Sequence, residues 1–289
     1  MKDRIKRLKK WIIGARIKTL PAAISPVLIG TSYAEKINWI NALLALVVAL
    51  FLQIAVNFSN DFSDGLRGSD DLRVGPIRLV ASGLATATAV RNASYLCFLL
   101  AAIAGLILAL SISKWLIVIG VISILAAWGY TGGKKPYGYS GFGEFSVFVF
   151  FGLVATIGSY YVQSREINWQ ILLLSIPVGF LSCAILVINN LRDISSDKLV
   201  GKRTLAVLIG EQQTRNFYVA LLVIAQLVSL VASVVEIKML LTLLGIPLLI
   251  SPIKKVLSGV EGIELIPILE KTARLQLFLA VITAAALLN

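Results

Sequence analysis

Apolar residues in this chain come in runs long enough to cross a lipid bilayer, and the runs recur from one end to the other. A hydrocarbon core about 30 Å thick takes about 20 residues of helix. The expectation is therefore an all-α, polytopic membrane protein, formed as a single domain over residues 1–289. Runs at 19–34, 39–59, 86–111, 114–130, 143–161, 169–191, 215–235, 237–253 and 273–288 predict nine transmembrane helices.

Placing the N-terminus in the cytoplasm and alternating sides puts 23 of the 27 Lys and Arg inside, leaving Lys36, Lys114, Arg165 and Lys238 outside. The same rule accounts for the net charge of +12, so nucleic acid is not an expected partner. Residues 1–15, with Lys2, Arg4, Lys6, Arg7, Lys9 and Lys10, read as a basic amphipathic helix on an anionic cytoplasmic membrane face. Arg16 and Lys18 interrupt the apolar stretch that follows, which does not read as a signal-peptide core.

The chain has no histidine, which removes the usual general base and the usual zinc and haem ligand. Cys97 and Cys183 both lie inside apolar runs, where cysteine is a small buried hydrophobe, and no disulfide is expected. What polar chemistry remains is carboxylate and amide. Six of the seven aspartates form two groups: Asp61, Asp64, Asp70 and Asp71 in NDFSDGLRGSDD, and Asp193 and Asp197 in NNLRDISSDK. Both groups follow even-numbered helices and so emerge on the same side, facing one cavity open to the cytoplasm.

Two carboxylates about 5.5 Å apart repel by about 3 kcal/mol at an effective dielectric near 20, so a cation belongs between them. Asn57, Asp61 and Asp64 are spaced by four and three, with Asn60 beside them, and share one helical face if the second helix continues. Asn189, Asp193 and Asp197 repeat this at four and four, with Asn190 adjacent. Oxygen ligands without nitrogen or sulfur suit Mg²⁺, which is often bound jointly by a few carboxylates and a substrate's phosphates. The candidate metal ligands are all six aspartates; for Asp70 and Asp71 the GSDD stretch also reads as a turn or helix start.

Six carboxylates, two Mg²⁺ and a diphosphate leave a deficit of about five positive charges. Arg67, Arg73, Arg78, Lys134, Lys135, Lys202 and Arg203 lie in the same inner loops and are candidates to close it, with Arg73, Arg78, Lys202 and Arg203 preferred. Tyr130, Tyr137 and Tyr139 in the Gly-, Tyr- and Lys-rich stretch at 131–141 suit either diphosphate contact or interfacial anchoring. The stretch at 258–271 reads as an interfacial helix capping the cavity. Glu144, at a helix start, is explained by the helix dipole.

These motifs resemble the UbiA superfamily of intramembrane aromatic prenyltransferases. The resemblance rests on ARIKTLPAAISPVLIG at 15–30, NDFSDGLRGSDD at 60–71, GPIRLVASG at 75–83, YTGGKKPYGYSGFGE at 130–144 and NNLRDISSDKLVGKRTLAVLIG at 189–210. It is strongest with the branch that prenylates 1,4-dihydroxy-2-naphthoate in menaquinone synthesis. Where the general pattern has a further aspartate four residues after the second, this chain has Gly68 and places its acids at Asp70 and Asp71.

The layout of apolar helix, acidic loop and apolar helix, met twice, reads as two four-helix halves plus a ninth helix; the resemblance implies a nine-helix bundle and catalysis by Asp61, Asp64, Asp193 and Asp197 with Mg²⁺. An allylic polyprenyl diphosphate would ionise, and the electron-rich naphthoate ring would take the prenyl group with loss of CO₂. Asn57, Asn60, Asn189, Asn190, Arg67, Arg73, Arg78, Tyr130, Lys134, Lys202 and Arg203 are the expected substrate contacts. Arg16 and Lys18 either receive the naphthoate carboxylate or are there for topology alone. A different aromatic acceptor such as 4-hydroxybenzoate is the alternative within the class. A membrane cation transporter is the alternative outside it, and the CDP-alcohol phosphotransferases share only the Asp61, Asp64 and Gly65 spacing.

Overall fold

The computed structural model describes residues 2–69 and 75–288, so Asp70, Asp71 and Arg73 lie outside the described residues. The described chain is all-helical: α1 Lys2–Ala15, α2 Pro21–Ser32, α3 Trp39–Leu66, α4 Ala87–Ser111, α5 Trp115–Gly129, α6 Gly143–Val147, α7 Ala155–Ser164, α8 Trp169–Leu199, α9 Leu205–Ile209, α10 Glu211–Val231, α11 Ile246–Leu257 and α12 Leu265–Leu287. A π-helical stretch, Phe148–Val154, joins α6 to α7 without a break, and a 3₁₀ stretch, Ile237–Gly245, leads into α11.

Six helices among the described residues are long and apolar enough to cross a membrane, or seven if Lys9–Thr19 and Pro21–Ser32, bent by 55°, form one span. The chain is a multi-pass membrane protein. Two of the nine expected spans fall short of that standard. α5 has only 15 residues, and α12 carries Glu270, Lys271 and Arg274 in its first turns. The expected interfacial helix at 258–271 is not a separate element: it is a 3₁₀ turn, Gly262–Glu264, followed by the start of α12. Nor does α1 stand apart from the bundle. Trp11 packs edge-on against Phe58 of α3 at 5.7 Å between ring centroids.

The two aspartate-bearing helices outrun the bilayer, and this places their acids. Asn38 and Asn168 cap α3 and α8 by accepting from backbone N–H groups of the first turn. From those caps α3 runs 28 residues and α8 31, or about 42 and 46 Å at 1.5 Å per residue. About 30 Å of each suffices to cross the core. The apolar segments read as ending at 59 and 191 therefore continue as helix, and the aspartates sit on final helical turns rather than in loops.

Both helices stop at a glycine in the left-handed region, Gly68 at φ 71° and Gly201 at φ 72°, where a side chain is disfavoured. At the second stop the Lys202 N–H returns to the Asp197 carbonyl at 2.8 Å. That turn aims Lys202 back at its own helix.

α3 pairs along its length with α4, while α8 packs with α10 and α12 around a buried apolar cluster that includes Ile188, Tyr218, Leu222 and Ile268. α2 threads between α12 and α7. At that contact a Cβ on Gly30 would lie 2.3 Å from the Thr156 carbonyl oxygen, so only glycine lets the backbones approach this closely. Large apolar side chains such as Trp39, Leu110, Trp115 and Leu125 face outward, where lipid is the matching solvent.

Candidate active site

A cavity of about 320 Å³ lies between α2, α3, α5, the α6–α7 helix and α8. Leu52, Val56, Ile119, Phe150, Phe151 and Val154 are among its apolar walls, and Asn57, Asn60, Asp64, Arg78, Tyr130, Asn189, Asn190 and Lys202 gather its polar lining. Lys202 joins the two acidic stripes. Its ammonium is 3.8 Å from Asp64 Oδ2 and 3.4 Å from Asp197 Oδ1, so the carboxylates of α3 and α8 face one another across a single cation. Arg78 lies 3.7 Å from the same Asp64 oxygen, and Tyr139 donates its hydroxyl to Asp64 Oδ1. Asp197 Oδ2 is buried with no hydrogen-bond partner.

The other two aspartates have different work. Asp61 is buried and accepts the backbone N–H groups of Leu79, at 2.8 Å to Oδ2, and Val80, at 3.0 Å to Oδ1. It therefore anchors the Arg78-bearing loop to α3. Asp193 is held by the neighbouring Arg192, whose Nε and Nη2 donate to its two oxygens at 2.8 and 2.7 Å. Arg192 Nη2 also donates to Asn189 Oδ1 at 2.8 Å.

The remaining expected site residues divide between the cavity and its supports. Asn57 donates to the Ala15 carbonyl at 3.0 Å, tying α3 to the end of α1. Asn60 Oδ1 accepts from the Thr131 hydroxyl at 2.8 Å. Arg67 points away from the cavity and donates to the carbonyls of Thr131 and Gly133, each at 2.7 Å, with its guanidinium 5.0 Å from the Tyr139 ring centroid. It clamps the 131–141 loop. Asn190 Nδ2 donates to Glu144 Oε1 at 2.9 Å, which turns the amide oxygen of Asn190 away from Glu144.

Arg16 lines the cavity, from a backbone position in the left-handed region at φ 54°. Lys18 does not; it extends outward and pairs with Glu270 at 2.5 Å. Lys134 and Arg203 are exposed, and Arg203 contributes through its backbone N–H, 3.0 Å from the Tyr139 carbonyl.

Tyr130 lines the cavity, and the two tyrosines that follow it stay protonated donors. Burial raises Tyr137, whose hydroxyl lies 2.8 Å from both the Ala126 carbonyl and Ser146 Oγ. Burial and then the Asp64 charge raise Tyr139.

Sequence reasoning passed over Arg192 and Thr131. Arg192 adjoins an aspartate, a spacing that on a helix normally points two side chains apart. Glu144 does stand in the first turn of α6, as its helix-start reading expects, and in addition it accepts from Asn190, 46 residues away.

The UbiA prenyltransferase family matches this chain over residues 23–264. The chain belongs to that family. The match encloses every site residue above except Arg16 and Lys18. Among curated UbiA relatives, the 1,4-dihydroxy-2-naphthoate octaprenyltransferase of Mycobacterium tuberculosis is 48% identical over 281 residues, covering 96% of each chain. The protein of the same name from Escherichia coli is 35% identical over 285 residues, covering 94% of this chain and 92% of its own. In three dimensions a UbiA homolog from Archaeoglobus fulgidus bound to DMAPP and Mg²⁺ superposes with a TM-score of 0.68 at 14% identity, covering 96% and 99% of the two chains. The fold is thus UbiA-like.

An all-oxygen donor set with a buried, unpartnered Asp197 Oδ2 fits a hard divalent cation such as Mg²⁺. Among the described residues no three ligand side chains are gathered for a metal by protein alone.

Proposed function

We propose that this UbiA-family protein transfers a polyprenyl group from an allylic diphosphate to 1,4-dihydroxy-2-naphthoate, releasing diphosphate and CO₂ and yielding demethylmenaquinol for menaquinone synthesis. The observation that carries this reading is the cavity's polarity. One end brings two opposed carboxylates and the cations Lys202 and Arg78 together, while Leu52, Val56, Ile119, Phe150, Phe151 and Val154 give the cavity extended apolar walls. That shape and chemistry suit an amphiphile with a polyanionic head and a hydrocarbon tail, and near full-length identity to named naphthoate prenyltransferases supports the acceptor.

Asp64 and Asp197 are the residues that would hold Mg²⁺, with Asp193 behind Arg192 and Asp61 behind the loop it anchors. Bound there, the ion supplies positive charge to a departing diphosphate. Lys202 and Arg78 stabilise the same leaving charge, which grows as the carbon–oxygen bond breaks. Tyr130 lines the same cavity, where its hydroxyl is available to the bound head group. Arg16 faces the cavity and is suited to the carboxylate of the aromatic acid; Lys18, paired with Glu270, is not. The apolar walls keep water from the electron-poor prenyl carbon.

The active end faces the cytoplasm, the side on which a nine-span topology places 23 of the 27 Lys and Arg. Residues 1–289 form one domain, two four-helix halves plus a ninth helix, with α3 and α8 as the corresponding acidic helices. The test is incubation of membranes containing the protein with Mg²⁺, a polyprenyl diphosphate and either dihydroxynaphthoate or 4-hydroxybenzoate. Mass of the prenylated product identifies the acceptor. Product that forms only from 4-hydroxybenzoate, or equally well without Mg²⁺, overturns the proposal.

A further inference from the structure

A second pocket, of about 300 Å³, lies on the opposite face of the last turns of α3, and it shares no lining residue with the cavity just described. Ser59, Phe62, Ser63 and Leu66 of α3 form one wall, Arg91, Ser94 and Tyr95 of α4 a second, and Arg67, Trp128, Gly132 and Gly133 close it. Among the described residues neither Arg67 nor Arg91 has a carboxylate within ion-pair distance. Arg67 spends its donors on carbonyls, and Arg91 has its guanidinium 5.9 Å from the Phe62 ring centroid with a buried Nε that makes no hydrogen bond.

Arg91 is also the fifth residue of α4. That places a cation toward the positive end of the helix dipole, where an anion is favoured instead. Ser59 and Ser63, both buried, add hydroxyls on the facing wall. Leu66, Tyr95 and Trp128 at the rim are 63%, 51% and 44% exposed on the apolar outer surface of the bundle. Tryptophan and tyrosine at that level are the residues that settle among lipid headgroups.

We propose that this pocket binds the phosphate of an anionic phospholipid from the surrounding bilayer. Arg91, whose buried Nε has no partner, and two buried serine hydroxyls recognise the phosphate, and Arg67, its donors held by carbonyls, adds its charge; among the described residues neither guanidinium has a counter-ion. The aromatic rim and the outward-facing leucines of α3 and α4 accommodate the glycerol and the first methylenes of the chains. The occupant touches the catalytic arrangement through Arg67, which holds the loop whose Tyr139 donates to Asp64.

The test uses the full-length protein in detergent, with thermal unfolding and native mass spectrometry read after addition of phosphatidylglycerol, phosphatidylcholine or inorganic phosphate. Phosphatidylglycerol is expected to raise the unfolding temperature and remain bound, with phosphatidylcholine doing neither. Arg91→Gln is expected to weaken that binding about tenfold, the scale of one charge-assisted hydrogen bond. Ser59→Leu, which fills the pocket without changing charge, is expected to weaken it as well, while Arg274→Gln, at an exposed position remote from the pocket in sequence, leaves it unchanged. Equal binding in Arg91→Gln and Ser59→Leu overturns the site. Inorganic phosphate that binds as tightly as phosphatidylglycerol, and is lost in the same two variants, overturns the lipid as its source.

Discussion

Lys202→Met tests the active site at its centre. The ammonium sits 3.8 Å from Asp64 and 3.4 Å from Asp197, with its side chain only 15% exposed. At an effective dielectric of about 20, Coulomb attraction to each carboxylate is about 4 to 5 kcal/mol, and desolvation of the three groups cancels much of it. A divalent ion entering between the same oxygens competes with whatever remains. If about 1.4 kcal/mol remains, deleting the ammonium lowers the Mg²⁺ concentration for half-maximal rate about tenfold.

The departing diphosphate loses a cation in the same variant. Removing one charge-stabilising donor from such a site costs about 10²-fold to 10³-fold in rate. The expected outcome is therefore two opposed changes: kcat/KM for the polyprenyl diphosphate falls about a hundredfold, while the Mg²⁺ requirement becomes lower. Proteoliposomes assayed across a Mg²⁺ series, with product quantified by mass spectrometry and Lys202→Arg as the charge-conserving control, separate the two. A Mg²⁺ requirement that rises with the loss of rate would refute competition between ammonium and metal. An unchanged kcat/KM would remove Lys202 from the diphosphate end altogether.

Asp61→Asn and Asp64→Asn should fail differently. The first puts an amide N–H against one of two backbone donors and should lower stability by about 1 to 3 kcal/mol, seen as a lower unfolding temperature; the second should abolish prenyl transfer. A wild-type unfolding temperature in Asp61→Asn would contradict its loop-anchor role. Tyr139→Phe should reduce the rate about tenfold by deleting one hydrogen bond to a charged group. Because the wild-type phenol is held above 10, it donates throughout the neutral and mildly alkaline range, and the pH–rate profile should show no falling limb from Tyr139 below pH 10. A limb there that vanishes in the Phe variant would count against that assignment. Gly30→Ala should destabilise the α2–α7 contact by about 1 to 3 kcal/mol, because the added methyl meets a carbonyl oxygen rather than a yielding side chain; a wild-type unfolding temperature would show that the helices separate freely.

Much of the site was legible because its chemistry is conspicuous in lipid. Aspartates and asparagines inside apolar runs have few roles other than function, and the spacing of Asn57, Asp61 and Asp64 foretold a shared helix face. Where the apolar pattern ended, however, the helices did not. A transfer scale sees α3 stop near residue 59, whereas the backbone continues until Gly68 and its positive φ. Gly68 was noticed in the sequence only as a missing acid. Its conformation shows why the position suits glycine.

Lys18 and Arg16, two residues apart, could not be told apart by composition. The left-handed backbone at Arg16 and the 3₁₀ turn that follows send one side chain to the cavity and the other to Glu270, 252 residues away. The tyrosines of the 130–139 stretch were equally ambiguous between anchoring and contact. Arg67 decides for Tyr139 by fixing its loop beside Asp64.

Solvent and charge count were decided by the amino-acid order alone. Apolar run length dictates a helical membrane protein, and an acid-rich, histidine-free polar set admits hard cations and phosphates over nitrogen or sulfur chemistry. Tertiary structure alone divided labour among four similar aspartates. A carboxylate's role depends on which donor reaches it first, and those donors come from elsewhere in the chain: backbone N–H groups 18 and 19 residues on for Asp61, and a tyrosine 75 residues on for Asp64. Asp193 met a guanidinium on its own helix. Only Asp197 kept a buried oxygen unspoken for.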